Sequence, residues 1–208
     1  MIAGILLAAG SGTRFGGAKL WSPAPCGLPL AVAALRSLGG AGLEPIAVIR
    51  PGDQRLAAVL EGEGARTVAC RRAGQGMGHS LACGVAASVE AEGWLVALAD
   101  MPCIDRRTVG RLACALREGA QLVAPVYRGV RGHPVGFSRR YRAELLALRG
   151  DRGARPVLEA HARELRLIPV DHPGVLWDVD RPLDAHGPAR PALPSHPSQG
   201  AAGRPRDR

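Results

Sequence analysis

Short apolar runs alternate with segments of helical periodicity over the first 126 residues, and this alternation limits the fold more than any other feature. Five runs bounded by Gly, Pro or charged residues predict strands buried on both faces: 2–8, 45–49, 66–70, 94–99 and 121–126. Segments with helical spacing lie between them, at 30–38, 53–60, 80–91 and 105–116. Strand and helix in turn are typical of right-handed crossovers, so we expect an α/β protein with a mainly parallel central sheet.

The chain changes character after residue 126. Glycines and a proline precede a strand at 135–137, helices at 141–148 and 155–164, a strand at 165–170 and an Asp-rich segment at 177–184. From 185 onward Pro, Ala, Gly, Ser and Arg predominate, with too little apolar surface to offset the entropy of ordering. We therefore predict one domain over residues 1–185 and a disordered tail over 186–208.

Composition narrows the function classes. Aromatic residues make up 3% of the 208 residues, so small aliphatic side chains must fill the core. The formal net charge of +9 comes from 26 arginines and one lysine, with no run of five basic residues. Because few rings are present for bases to stack on, this charge favours anionic small ligands and argues against nucleic acid.

Cysteine usage and the apolar start predict a cytoplasmic protein. The five cysteines contain no Cys-x-x-Cys pair, which indicates reduced thiols and no common zinc pattern. The apolar segment 1–9 is too short for a signal peptide or a membrane span, so we expect no membrane association.

A glycine-rich loop, 8–19, follows the first predicted strand, at the sheet edge where open α/β proteins bind ligands. A dinucleotide fingerprint is disfavoured, because Phe15 replaces its third glycine and no acidic residue follows the second strand, which ends at Arg50. A Walker loop is excluded, since Ala18-Lys19-Leu20 replaces Gly-Lys-Ser/Thr. What remains is a loop whose backbone N–H groups hold a triphosphate while Arg14 and Lys19 neutralise it.

Lys19 is the single lysine among 27 basic side chains. A lone lysine in an arginine-rich chain indicates a site that favours a compact ammonium with three donors over a planar fork. Chance is the alternative explanation when the residue is considered by itself.

Six motifs follow one another over residues 1 to about 185. They are Leu7-Ala8-Ala9-Gly10-Ser11-Gly12-Thr13-Arg14-Phe15-Gly16-Gly17-Ala18-Lys19, Gln75-Gly76-Met77-Gly78-His79-Ser80-Leu81, Leu98-Ala99-Asp100-Met101-Pro102, Gly132-His133-Pro134, Gly150-Asp151-Arg152-Gly153-Ala154-Arg155 and Asp178-Val179-Asp180-Arg181-Pro182-Leu183-Asp184. Together they resemble the molybdenum cofactor cytidylyltransferases and their guanylyltransferase relatives. Phe15 and Gly12 replace the family's usual Met and Ser, and segment 21–27 departs from its Leu-rich strip.

The resemblance implies a Rossmann-like three-layer nucleotidyltransferase fold. It also implies Mg²⁺-dependent transfer of CMP from CTP to molybdopterin, the molybdenum cofactor, with release of pyrophosphate and delivery of the product to a molybdoenzyme. Residues 1–126 would mainly bind nucleotide, and 127–185 would mainly bind the acceptor and complete the metal site. The nucleotide would be bound by Leu7, Ala8, Ala9, Gly10, Ser11, Gly12, Arg14, Lys19, Gly76, Ser80 and Asp100. The catalytic residues would be Lys19, Arg14 and Asp100.

Asp100 ends an apolar strand, so its carboxylate is expected at the carboxyl edge of the sheet, near the first loop. Mg²⁺ needs few protein carboxylates, and Asp180 is the partner that the resemblance implies, with Asp178 as second choice. The alternative role for Asp100 is a helix cap, although Asp105 is better placed for that.

Turn and loop residues beyond 127 are expected to bind the acceptor. By resemblance these are His133, Pro134, Asp151, Arg152 and Arg155. A surface turn for His133 and a solvated loop for 151–155 stay open as alternatives. Ser80, assigned to the nucleotide, has its own alternative as an N-cap.

Base choice depends on Ala8-Ala9, which resembles the cytidine-specific branch, where the guanine-specific branch has Ala-Gly-Gly. The methyl of Ala9 would then favour CTP over GTP by about 1 to 3 kcal/mol. One alternative is a related nucleotidyltransferase that uses GTP or another acceptor, such as a sugar phosphate or phospholactate. Another is a nucleotide-binding chaperone that hands over a cofactor without catalysis, which two metal carboxylates argue against.

Overall fold

The computed structural model describes residues 1–10, 19–39 and 42–179. These residues contain a sheet of eight strands in the order β3-β2-β1-β4-β7-β5-β6, with β8 paired to β5. The strands are β1 (Ile2–Leu7), β2 (Glu44–Ile49), β3 (Arg66–Ala69), β4 (Gly93–Leu98), β5 (Leu122–Tyr127), β6 (Val130–Arg131), β7 (Val135–Ser138) and β8 (Leu165–Pro169). The predicted tail, 186–208, lies outside the described residues, and the functional division at residue 126 stays a prediction.

Parallel pairing dominates the half of the sheet that β3, β2, β1 and β4 form. β1 lies between β2 and β4, and β2 pairs with β3, all in parallel; β5 and β8 are also parallel. β7 runs antiparallel between β4 and β5. The expected α/β fold with a mainly parallel sheet is confirmed.

The burial prediction is wrong for β3. All four of its residues are partly or fully exposed, whereas all six of β1 are buried. The reason is topological, since β3 forms the edge of the sheet. Arg66 of β3 pairs with Glu44 of β2 at 3.4 Å, and charged side chains of this kind protect an edge from pairing with other chains.

Six α-helices in the described residues cover both faces of the sheet. They are α1 (Leu30–Leu38), α2 (Gln54–Gly62), α3 (Met77–Ala86), α4 (Arg106–Arg117), α5 (Arg142–Ala147) and α6 (Arg155–Ala160). Residues of α1, α2 and α4 form one buried cluster with Ile2 and Leu6, and residues of α3, α5 and α6 form the other with Ala3 and Ile5. Alternate residues of β1 therefore face opposite helix layers, which gives the expected three layers.

Helix α3 differs most from its predicted range of 80–91. It ends at Ala86, and the chain continues in turns in which Ser88 is held by a hydrogen bond from Trp94 Nε1 to its Oγ at 2.8 Å. No helix in the described part of the chain combines the length and apolar character needed to cross a bilayer.

Candidate active site

Three residues stand in a row at the carboxyl edge of the parallel strands. Leu7 of β1 pairs with Val48 of β2 on one side and with Leu98 of β4 on the other. Ala9 follows Leu7 by two residues, just beyond the end of β1. Arg50 and Asp100 follow Val48 and Leu98 in the same way, beyond the ends of β2 and β4. Neighbouring strands are about 4.8 Å apart, so Arg50 and Asp100 flank Ala9 from opposite sides. We call these residues the strand-end row.

Asp100 binds the lysine that the sequence singled out. Lys19 Nζ lies 2.8 Å from Asp100 Oδ2, and the two side chains are 14% and 26% exposed. The second carboxylate oxygen, Oδ1, is buried and has no hydrogen-bond partner within the described residues. Asp105 caps α4 by accepting from Arg107 N at 2.8 Å, so Asp100 is not used as a cap. A part-buried carboxylate with an oxygen to spare fits a divalent cation.

The C-terminal segment returns to Asp100 at Val179. Val179 N donates to Asp100 O at 3.0 Å, and the Val179 side chain is fully buried. Asp178, the second-choice metal ligand, precedes Val179 directly, whereas Asp180 lies outside the described residues. Within residues 1–10, 19–39 and 42–179 no cluster of three His, Cys, Asp or Glu side chains is arranged to hold a metal. Mg²⁺ takes most of its ligands from water and phosphate, so Asp100 and one neighbour would suffice.

A cleft of about 210 Å³ opens beside the strand-end row and is called the first cleft. The predicted nucleotide-binding residues in its walls are Leu7, Ala8, Ala9, Gly10, Gly76, Ser80 and Asp100. Ser11, Gly12 and Arg14 lie outside the described residues. Among the described residues, a Cβ added at Gly10 or Gly74 would meet nothing within 4 Å.

Two glycines at the start of α3 allow close packing against the loop at 149–151, and Gly76 also lines the first cleft. A Cβ at Gly76, where φ is 121°, would lie 2.2 Å from the carbonyl carbon of Gly150, and one at Gly78 would lie 2.8 Å from Arg149 O. Gly78 N also donates to Gly150 O at 2.8 Å. This contact brings Asp151 into the wall of the first cleft. Two motifs that are separate in the sequence therefore form one wall.

Ser80 is not an N-cap. Helix α3 begins at Met77, three residues before the predicted start, and Gly76 is the cap residue. The positive φ of Gly76 turns the chain into the helix, a start that periodicity does not reveal. Ser80 lies one turn inside the helix, is 4% exposed and lines the first cleft.

A second cleft, of about 220 Å³, adjoins the first and shares the walls formed by Leu7, Met77 and Leu98. Its lining is mostly apolar and includes Leu81, Val96, Val135, Phe137 and Leu158. Three exposed arginines and a histidine stand on its polar side, namely Arg131, Arg152, Arg155 and His133.

The residues predicted to bind the acceptor divide between the two clefts. His133, Arg152 and Arg155 line the second cleft, Asp151 lines the first, and Pro134 is buried and lines neither. Glu159 binds both arginines, with Arg152 Nη2 at 2.6 Å and Arg155 Nε at 2.8 Å. Both arginine side chains are more than 60% exposed, so the alternative of a solvated loop at 151–155 stays open.

The surroundings of His133 disfavour the charged form of its imidazole. Burial lowers the pKa of its imidazole below the ordinary value of 6.5, and the charge of Arg131 lowers it further, while a backbone hydrogen bond at Val96 and the charge of Asp100 act in the opposite direction. His133 N donates to Val175 O at 2.8 Å, which fixes the residue. This bond holds the backbone of the turn, and the partly exposed ring can offer hydrogen bonds at the wall of the second cleft.

Sequence patterns did not single out two arginines of the site. Arg50 Nε donates to Ala9 O at 2.9 Å and lines the first cleft, and Arg131 on β6 lines the second. For Arg50 a signal was present, because it directly follows a predicted strand and such residues collect at the carboxyl edge. In the sequence, Arg50 stands where a dinucleotide fingerprint has an acidic residue. For Arg131 no signal was present, since β6 is two exposed residues.

The sheet order and the cleft at the carboxyl edge can now be set beside known proteins. The profile of the MobA-like NTP transferase domain matches residues 4–165 of the 208. This chain belongs to the MobA-like NTP transferase family. The resemblance inferred from the six motifs is thereby confirmed at the level of the family, while the cytidylyltransferase branch is a narrower assignment.

One relative of this MobA-like protein is named an oxidoreductase. The chain is 32% identical over 188 residues to nicotine blue oxidoreductase of Paenarthrobacter nicotinovorans, and the match covers 86% of this chain and 92% of that protein. Because members of one fold can differ in chemistry, the function has to be argued from the site.

Solved structures agree with the fold. The crystal structure of Rv0371c from Mycobacterium tuberculosis H37Rv superposes with a TM-score of 0.75 at 26% identity, covering 88% of this chain and 94% of that one. A complex of Rv0371c with manganese superposes with a TM-score of 0.68 at 25% identity, covering 82% and 89%.

Proposed function

We propose that this protein transfers CMP from CTP to the terminal phosphate of molybdopterin and releases pyrophosphate. Membership of a nucleotidyltransferase family supports the type of reaction. The observation that carries the proposal is the junction of two clefts at Leu7, Met77 and Leu98, with Asp100 in the wall of the first. Two adjoining clefts suit a reaction that joins two bound substrates.

The first cleft would hold the triphosphate at the Asp100 end of the strand-end row. Lys19, now bound to Asp100, would move its three donors to phosphate oxygens as these arrive, and Arg14 would assist it. When bound, Mg²⁺ would be held by Asp100 with Asp180 or Asp178 and would supply positive charge to the phosphate oxygens. The manganese complex of Rv0371c supports a divalent cation.

Transfer makes one bond and breaks one. An oxygen of the acceptor phosphate bonds to the α-phosphorus, and the bond between the α-phosphorus and the bridging oxygen breaks, so that pyrophosphate leaves. The acceptor phosphate is already an anion at neutral pH, and no general base is required. The protein contributes orientation across the cleft junction and stabilisation of charge on the phosphates.

The second cleft would hold the acceptor. Its apolar lining suits a fused ring, and the exposed Arg131, Arg152 and Arg155 suit the phosphate of molybdopterin. His133, whose charged form is disfavoured, would donate or accept one hydrogen bond. Asp151 lies at the first cleft, so we place it beside the ribose hydroxyls of the nucleotide instead of the acceptor.

Cellular context is part of the same proposal. The five cysteines are free thiols, which suits the reducing cytoplasm. A cytoplasmic molybdoenzyme would receive the dinucleotide cofactor.

Pyrophosphate release from Mg-CTP, measured with and without molybdopterin, tests this function. Release is expected only when both substrates and the divalent cation are present, and a chelator should stop it. Release at the same rate without molybdopterin, or none with it, would remove molybdopterin as the acceptor. The same assay with a sugar phosphate or phospholactate would then identify a related transferase.

Oxidation–reduction is a second candidate, because a 32% identical relative is named an oxidoreductase. The site itself favours transfer, since Arg50 occupies the end of β2 where dinucleotide-binding proteins place an acidic residue. Ligands that bind the native state raise its unfolding temperature, so Mg-CTP is expected to stabilise the protein more than NADPH does. A larger shift with NADPH would favour the oxidoreductase.

A further inference from the structure

We propose that Arg50 recognises the nucleobase of the bound triphosphate and selects bases that present two adjacent hydrogen-bond acceptors, cytosine in particular. The inference rests on the proposed function only in that a nucleoside triphosphate occupies the first cleft.

The strand-end row determines which end of the nucleotide meets Arg50. Asp100, with Lys19 bound to it, extends from β4 on one side of Ala9, and Arg50 extends from β2 on the other. Phosphates and their cation are attracted to the Asp100 side. Two strand spacings of about 4.8 Å place Arg50 about 10 Å away, a distance suited to the opposite end of a nucleotide. The base therefore falls on the Arg50 side.

Arg50 is already oriented for such a contact. Its Nε donates to Ala9 O at 2.9 Å, and the residue is half-buried in the wall of the first cleft. A guanidinium carries five N–H groups, of which this bond uses one. Among the described residues, Ala9 O is the protein acceptor that Arg50 bonds, so the two terminal nitrogens keep their donors for a ligand.

The fork of a guanidinium matches some bases and not others. Cytosine presents O2 and N3 as neighbouring acceptors, and guanine presents O6 and N7. Uracil places an N–H at N3, and adenine places an amino group next to N7, so each meets the fork with a donor. Ala9, whose carbonyl oxygen accepts from Arg50 Nε, would bring its methyl close to the base and favour the smaller ring of cytosine over guanine.

The competing role for Arg50 is a further phosphate ligand. Such a residue would contribute equally to every triphosphate, with or without a base. A base-recognising residue would contribute to CTP and not to UTP or to inorganic tripolyphosphate. The two roles are therefore distinguished by which of the three ligands lose affinity when Arg50 is replaced, not by how large the loss is.

Titration calorimetry of the full chain, without acceptor, distinguishes these roles. The ligands are Mg-CTP, Mg-UTP and Mg-tripolyphosphate, and the proteins are wild type, Arg50→Ala, Arg50→Lys and Arg163→Ala. Arg163 is exposed and lines neither cleft, so its variant controls for the loss of one positive charge. Circular dichroism and the melting temperature verify that each variant is folded.

The wild type is expected to bind CTP at least about 10-fold more tightly than UTP. Arg50→Ala should lose about 5- to 150-fold in CTP affinity, with UTP and tripolyphosphate changed by less than about 2-fold. Arg50→Lys should also lose the preference, because an ammonium has no fork. Arg163→Ala should match the wild type.

Equal losses for all three ligands, or an unchanged preference for CTP in Arg50→Ala, would overturn the inference. A wild type that binds CTP and UTP equally would do so as well. A wild type that prefers CTP but releases no pyrophosphate with molybdopterin would contradict the proposed function and leave the role of Arg50 intact. A wild type that binds no nucleotide would overturn both.

Discussion

The two clefts of this protein are built in different ways. The first takes its walls largely from the strand-end row and from backbone next to it, so its shape follows from the register of β2, β1 and β4. The second is lined by side chains from β1, β4, β6, β7, α3 and α6. A cleft defined by strand register is fixed once the fold forms, whereas a cleft defined by side chains can change its ligand without changing the fold.

The largest effect is expected at Asp100, on the metal side of the first cleft. Asp100→Asn removes the negative charge that a divalent cation needs and should lower pyrophosphate release by about 1000-fold or more. Asp105→Asn is the matched control, because it makes the same change at the cap of α4, where Asn also caps well. Assays at saturating CTP with a circular dichroism check compare the two. Normal turnover of Asp100→Asn would remove Asp100 from the metal site.

A smaller effect is expected from Lys19→Arg, which keeps the charge of the first cleft and changes its geometry. A planar fork cannot replace a compact ammonium 2.8 Å from Asp100, so kcat should fall by about 10- to 100-fold. Steady-state kinetics with varied CTP measures this. Turnover within about 2-fold of wild type would mean that the site does not require a lysine and that its occurrence at position 19 is due to chance.

The second cleft should respond separately. Arg131→Ala removes an exposed cation from its wall and should raise KM for the acceptor by about 10-fold, with KM for CTP unchanged. Arg163→Ala, outside both clefts, is the control. A parallel rise in both KM values would show that the two clefts do not bind different substrates.

The smallest effect concerns stability. His133 has a lowered pKa, so the folded protein resists a proton that the unfolded chain takes up near pH 6.5. The contribution of His133 to the free energy of unfolding is therefore fully present above that pH. It is lost as the pH drops through that value, by at most about 1.4 kcal/mol per pH unit. Urea unfolding of wild type and His133→Gln between pH 7.5 and 5 should show a steeper decline for the wild type. Identical declines would mean that the imidazole is solvated.

The first cleft was largely predictable from the sequence. Buried parallel strands appear as apolar runs, and the residues that follow them meet at one edge, so the order of strands and helices along the chain already brings Ala9 and Asp100 together. Lys19 stood out by composition, and the structure pairs it with Asp100. Arg50 obeys the same rule of strand ends, and its position after β2 is the signal that could have found it, although a basic residue there matches no dinucleotide fingerprint.

The second cleft was predictable only in part. The contact of Gly76 and Gly78 with loop 149–151 joins segments about 70 residues apart, and no local pattern reports such a distance. It places Asp151 in the wall of the first cleft. Arg131 lies on a strand of two exposed residues that has no apolar period. Features that depend on long-range packing are therefore the ones that sequence patterns did not supply.

The fate of the CTP phosphates tests nucleotidyl transfer most directly. With Mg²⁺ and molybdopterin, CTP labelled on the α-phosphate should transfer its label to the acceptor, and CTP labelled on the γ-phosphate should release its label as pyrophosphate. Chromatography of the two reactions measures the labelled acceptor product and the labelled pyrophosphate, which are expected in equal amounts. An α-label that stays in CTP, or a γ-label that leaves as orthophosphate while the α-label stays in CDP, would contradict the transfer of CMP.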